Sequence, residues 1–349
     1  MELRLLAPGL ARWSSDGAAL ARRMAPALDG PLRQGMELLT RRLSLAACLL
    51  EGEAQCRDKE IARAALAIAQ ERCPQIPGSL CADPDGYKVR GHYLRTEALK
   101  RYFRARMWLA EGLSDWRETA AAALLLTLWA DGRSALAKRE ALERLLVGPA
   151  ANTSAQDLLS LAKRKLGSAP AWSDWALRSN WPSGSDLLRR PVSLLARRWT
   201  ADNRVLLGAT DEDRRPKPSP LTFLQALGST EALRRLQGEM ERWPPLTKRL
   251  KESRSALIQG QLLDLVSVGG RWLAALRWLL LPFPKGYARF QQDPAWAGHA
   301  MVSVSAAWAE LRRDTVLYVQ PPIVYMEGGD EDQLPPHRAG FVEPVPELY

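Results

Sequence analysis

Met36-Glu37-Leu38-Leu39-Thr40-Arg41-Arg42-Leu43-Ser44-Leu45-Ala46-Ala47-Cys48-Leu49-Leu50 is the stretch that decides the fold class. Leu38, Leu39, Leu43 and Ala46 recur at steps of three and four, the spacing that lines one face of an α-helix. The same period continues downstream. Asp58 stands as a cap before Ile61, Ala65, Ile68 and Ala69, a helix that must end before Pro74. Pro74 to Gly91, rich in Pro, Gly and Asp, reads as loop. Thr96 opens a helix to about Ala110 with Leu99, Phe103 and Met107 on one face, and Gly112 ends it.

Further helices are expected over 115–130, 134–147, 154–165, 185–197, 219–226, 229–240, 245–255, 258–280 and 294–313. Only Thr315–Val319, β-branched and aromatic, reads as a strand, and strands do not alternate with helices, so a parallel α/β core is excluded. The expected fold is all-α: a multi-helix array or bundle in one or two lobes, with an irregular Pro/Gly-rich tail from Pro321. Residues 1–166 form the N-terminal lobe and 186–349 the C-terminal lobe of one continuous domain, with a hinge-like Trp-, Ser- and Pro-rich passage at 167–185.

At 349 residues, 46% hydrophobic and 25% charged, the chain buries enough apolar surface to fold without a staple, which excludes whole-chain disorder. The net charge of +10 invites a nucleic-acid partner. Yet 39 of the 49 basic residues are Arg, scattered and interleaved with acids, as a GC-rich genome fills solvent positions. No basic face with stacking aromatics emerges, and no nucleic-acid partner is expected. No stretch of eighteen apolar residues occurs, so no transmembrane segment is expected. The longest candidate, Trp272–Phe283, is interrupted by Arg277 and reads as a buried core helix.

Cys48, Cys56, Cys73 and Cys81 form an even, clustered set that favours two disulfides, with three pairings open and buried thiols as the alternative. Their spacing is too wide for a zinc site. Disulfides would place the chain in an oxidising compartment. The first residues, Met1-Glu2-Leu3-Arg4-Leu5-Leu6, lack the apolar core of a secretion signal, which points the other way unless the chain is a piece of a longer precursor.

Three segments concentrate polar and aromatic side chains. In Gly91–Arg104, Glu97 and Arg101 pair four residues apart on a helix, while His92, Tyr93 and Arg95 sit at its positive end, suited to an anionic group, with Arg104 further along. The bland reading is a helix cap with a solvated basic face. In Ala307–Tyr318, Asp314 before Thr315 is a candidate general base, or a carboxylate locked to its neighbour through Arg312. In Tyr325–Asp332, Glu327 beside Gly328-Gly329 lies in an acidic loop whose spacing does not match an EF-hand. Thirteen Trp, with Trp172, Trp175 and Trp181 clustered, offer sugar platforms or simply core. There is no G-x-S-x-G elbow, phosphate cradle or dinucleotide fingerprint, and no cofactor or metal site is expected.

These same residues carry a family resemblance. Gly91-His92-Tyr93 through Trp108, Arg198-Trp199-Thr200, Pro220-Leu221 to Leu227-Gly228-Ser229, Trp308–Tyr318, Met326–Gly329 and Gly340–Tyr349 stand in order along most of the chain. In them the sequence resembles a bacterial family known only as domain of unknown function 3160. It departs from the family pattern at Leu94, Arg106 and Arg313, where the pattern carries Thr, Met and His. The loss of His at the last position weakens a catalytic role there. The resemblance implies a helical, envelope-associated protein, periplasmic or extracellular, with longer relatives that bear secretion or lipoprotein signals and with no activity to carry over.

Two functional expectations follow. The first is a binding or structural module for an envelope polymer or protein partner. The second is a hydrolase-like enzyme on a glycan or peptide, with His92, Glu97, Asp314 and Glu327 as proton-transfer groups and Tyr93, Arg95, Arg104 and Arg312 as ligand contacts.

Overall fold

The computed structural model describes residues 7–52, 56–81, 84–155, 157, 159, 192–211, 219–260, 262–283 and 288–314. Among them are twelve α-helices and two strands of two residues each, an all-α helical array. The chain divides into two compact units, the first comprising Met1–Arg144 and Ala150–Arg198, the second Leu145–Pro149 and Trp199–Tyr349. The hinge-like passage 167–185, the strand expected at Thr315–Val319 and the tail from Pro321 lie outside the described residues.

The first unit is built around the helix quoted above. Helix α1 (Ala7–Met24) precedes it, and α2 (Gly30–Glu51) packs against α1, α3 (Lys59–Ala69), α4 (Glu97–Ala110) and α5 (Trp116–Leu128). Met36, Leu39, Leu43 and Ala46 of α2 are fully buried, as their period requires. The caps read from sequence hold. Asp58 accepts the Glu60 and Ile61 amides, and Thr96 accepts the Leu99 amide; Asp115 does the same for α5. Each satisfies amides that a helix start leaves without an internal partner.

Helix α6 (Ala130–Leu146) follows, tied to α1 where the Trp13 indole donates to the Gly132 carbonyl at 2.9 Å and stacks on Trp129. Two disulfides, Cys48–Cys56 and Cys73–Cys81, each with Cα atoms 5.5 Å apart, resolve the open pairing. One secures the end of α2; the other closes the loop that contains Gly78.

The helix expected over 185–197 is corrected over its described part, 192–197. Strand β2 (Val192–Ser193) pairs in parallel with β1 (Thr153–Ser154), Thr153 opposite Val192. The segment then runs on extended: Leu195 donates to the Leu109 carbonyl, and Ala151 to that of Arg197. Val192, Leu194, Leu195 and Ala196 are all buried. A short run buried all round has no face to distinguish strand from helix, so its apolar content was misleading. Ser154, read as the start of a helix, belongs to β1.

The second unit comprises α7 (Ala201–Gly208), α8 (Pro220–Leu227), α9 (Thr230–Arg242), α10 (Pro245–Ile258), α11 (Val268–Trp278) and α12 (Pro294–Asp314). Phe223, Leu224, Leu227, Leu273, Leu276, Val304 and Trp308 form its main core, and Leu236, Trp243, Leu246 and Leu250 a second cluster. The long helix expected over 258–280 is interrupted. Gly260 adopts a positive φ of 71°, and α11 restarts only after the Ser267 hydroxyl caps the Gly270 amide.

The crossing of α2 and α5 is so close that a Cβ on Gly35 would overlap the Arg117 carbonyl. Replacing Gly35 by Ala removes no contact yet forces the helices apart. A urea melt of Gly35→Ala is expected to show a loss of about 2 kcal/mol or more, within the range of overpacked cores, where a solvent-facing Gly→Ala in a helix would be neutral or stabilising.

Candidate functional site

Three buried arginines converge on one carboxylate in the first unit. Arg106 of α4 donates from Nε and Nη2 to Glu143 of α6 at 3.2 and 2.9 Å, and from Nη2 to the Ala196 carbonyl. Arg198, delivered by the extended segment, reaches the same carboxylate at 3.2 Å, and Arg139 reaches it at 3.4 Å while donating to the Tyr102 hydroxyl. Arg106 and Glu143 are inaccessible to solvent. Burial opposes ionisation of Glu143, but the three guanidinium groups outweigh it and hold the carboxyl below its ordinary range.

One turn earlier on α6, Glu140 behaves in the opposite way. Burial, with Asp157 and Glu143 nearby, pushes its carboxyl up to about 7 in spite of Arg198 and a hydrogen bond with Ser154. A second network lies on the other side of α4. Arg42 meets Glu118 at 2.5 Å, the Gly78 and Gly112 carbonyls at 2.8 and 3.1 Å, and the face of Trp108. Glu111 stands 3.8 Å from Arg42, and burial raises its carboxyl and the neighbouring Tyr87 hydroxyl.

A cavity of about 190 Å³ adjoins the first network. Its walls are Leu10 and Trp13 of α1, Leu136 and Leu142 of α6 and Leu195 of the extended segment, with Arg139 in the wall and Lys138, Gly9 and Ala135 among its lining residues. The last three are exposed, so the cavity opens to solvent between α1 and α6. Chemically it offers an apolar slot flanked by two cations, one of them held in place by Tyr102 and Glu143.

The residues singled out from sequence fall in both units. His92 and Tyr93 lie in a short 3₁₀ turn, Gly91–Arg95, where the Tyr93 ring is buried against His92, Tyr102 and Phe103. Arg95 is exposed, and Arg104 is half-buried on α4. Glu97 is exposed, and a hydrogen bond from Lys100 at 2.7 Å draws its carboxyl below the ordinary range. In the second unit, Arg312 lies over Trp308 and pairs with Asp202 of α7, while the Trp308 indole donates to the same carboxylate at 3.0 Å. The carboxylate that meets Arg312 is therefore Asp202. Asp314 is the last residue of α12, and Glu327 lies outside the described residues. So do Trp172, Trp175 and Trp181.

Sequence reasoning missed Glu143, Arg139 and Asp202 because a charge on a helix is ordinarily assigned to solvent, and Arg198 because the extended segment that delivers it reads as helix. One signal was present: Arg106 stands among Tyr102, Phe103, Leu109 and Ala110 on an otherwise apolar helix face. Among the described residues no group of three or more His, Cys, Asp or Glu is placed to hold a metal ion, and no helix is long and apolar enough to cross a membrane.

Residues 40–179 and 185–349 match the family model described as protein of unknown function (DUF3160). The chain belongs to this family. The match takes in both networks and all but the α1 wall of the cavity, so the DUF3160 sequence pattern spans the whole candidate site except Gly9, Leu10 and Trp13. No curated protein and no solved structure matches the chain.

The titration of Glu140 gives a test. Its folded carboxyl titrates at about 7 against an ordinary value of 4.5. Between those values the folded state holds a proton that the unfolded state releases, so this group makes stability fall as pH rises through the window. Thermal melts at pH 5 and pH 8 are expected to show a larger loss of Tm for the wild type than for Glu140→Gln.

Proposed function

We propose that this DUF3160 protein is a non-catalytic binding module of the cell envelope, and that the cavity between α1 and α6 receives a side chain of a protein partner. The size of the cavity carries the reading. At about 190 Å³ it is larger than the roughly 150 Å³ void that admits a benzene ring. It is smaller than the roughly 300–1,000 Å³ of small-molecule sites. One aromatic or branched side chain fits it, and such an anchor in a desolvated pocket is how protein interfaces concentrate their energy.

Arg139 in the wall and Lys138 at the mouth favour a partner whose anchor residue has an acidic neighbour. The two disulfides support a place outside the reducing cytosol. A proton-transfer role draws no support from Glu97, since a carboxylate kept ionised by Lys100 is a poor general acid.

Capture from solubilised envelope fractions on the immobilised chain tests this. The wild type is expected to retain a component above control. Ala135→Trp, which fills the mouth from an exposed position and should leave the Tm unchanged, is expected to lose it. No capture above control, or equal capture by the variant, would overturn the reading.

A further inference from the structure

Helix α11 of the second unit is apolar on both sides. Leu273 and Leu276 face the core of that unit, and Gly270 lies buried against the Asp264 carbonyl. At 100° per residue the opposite face is made of Val268, Arg271, Trp272, Ala275 and Trp278, where a surface helix ordinarily carries polar side chains. Val268, Trp272 and Trp278 are exposed by 51, 49 and 46%. The sequence reading of Trp272–Phe283 as buried core therefore holds for one side of the helix only.

The patch extends past the helix. Leu265 and Val266, exposed by 53 and 57%, directly precede its cap. The Arg271 guanidinium donates from Nε to the Leu265 carbonyl at 2.7 Å, and Ser267 accepts the Gly270 amide, so loop and helix form one ordered surface. Arg271 and Arg277 are the only charged residues of α11, and both are basic. Asp264, in the loop before the helix, is turned back to accept the Val266 amide.

From this we infer that the α11 face docks on an anionic phospholipid surface. Half-exposed indoles suit the boundary between headgroups and acyl chains. The aliphatic side chains of Leu265, Val266 and Val268 gain from entering that boundary, and the exposed Arg271 guanidinium suits lipid phosphates. A sugar polymer is the poorer match, because the outward face has neither a carboxylate nor an amide side chain to bond hydroxyl groups and its aliphatic half would stay wet. The inference is independent of the cavity, which belongs to the other unit.

Co-sedimentation of the full chain with vesicles tests it, comparing phosphatidylglycerol–phosphatidylcholine mixtures with phosphatidylcholine alone. The wild type is expected to partition to the anionic vesicles, and lipids brominated in the acyl chains should quench part of its Trp emission. The double variant Trp272→Glu/Trp278→Glu is expected to lose roughly tenfold or more in partitioning. Should it fail to fold, Leu265→Asp/Val266→Asp in the loop makes the same test. Ala135→Trp should partition as the wild type does, which separates this result from that of the envelope capture.

Absence of partitioning would overturn the inference. Undiminished partitioning of the folded variants would also overturn it, since the overall positive charge would then suffice. Retention on a glycan column that these substitutions abolish, without vesicle binding, would reassign the face to a sugar polymer.

Discussion

The first unit depends on burying guanidinium groups inside a helical core. Withdrawing an ion of that size from water costs several kcal/mol even after relaxation, and only well-placed partners offset it. Arg42 therefore fixes more than a pair. From α2 it reaches Glu118 on α5, the carbonyls of Gly78 and Gly112, and the ring of Trp108 on α4. A sliding of any of these elements by one residue would strand a charge. Apolar packing tolerates such slippage far better, because leucines are interchangeable along a stripe and a guanidinium fork is not.

Arg106 repeats the arrangement on the other side of α4, and here it shapes the surroundings of the cavity. Its partners, Glu143 and the Ala196 carbonyl, hold α6 and the extended segment together. Leu136, Leu142 and Leu195, which those two elements supply, are walls of the slot. Charge burial thus places an apolar slot beside a cation, Arg139, that Tyr102 and Glu143 hold. In the second unit Asp202 does comparable work, joining α7 to α12 through Arg312 and the Trp308 indole.

Much of the helical array was legible because its signals are local. A stripe at steps of three and four, Asp58 or Thr96 before it and Gly after it are properties of ten or fifteen neighbouring residues. The extended run after Val192 was not legible, since its conformation is set by Leu109, Gly112 and Ala151, which are distant in sequence. The candidate site was less legible still. His92, Glu97 and Arg312 stood out by residue type, yet Tyr93, beside His92, serves an aromatic core, and Glu97 and Arg312 serve ion pairs. Arg42 sat in the very stretch that revealed the fold and drew no notice, because its burial depends on a glutamate 76 residues away.

The central claim, that buried charge pairs set the register of the helices, is tested most directly by a double-mutant cycle on Arg42 and Glu118. Equilibrium urea unfolding would be measured for Arg42→Met, Glu118→Leu and the double variant. Each single change strands its partner and is expected to cost about 3–5 kcal/mol. The double variant, left with two apolar side chains in contact, is expected to be more stable than the sum of the singles implies by about 1.5 kcal/mol or more. Single losses that add to within about 0.5 kcal/mol would contradict the account, because the two groups would then be acting independently.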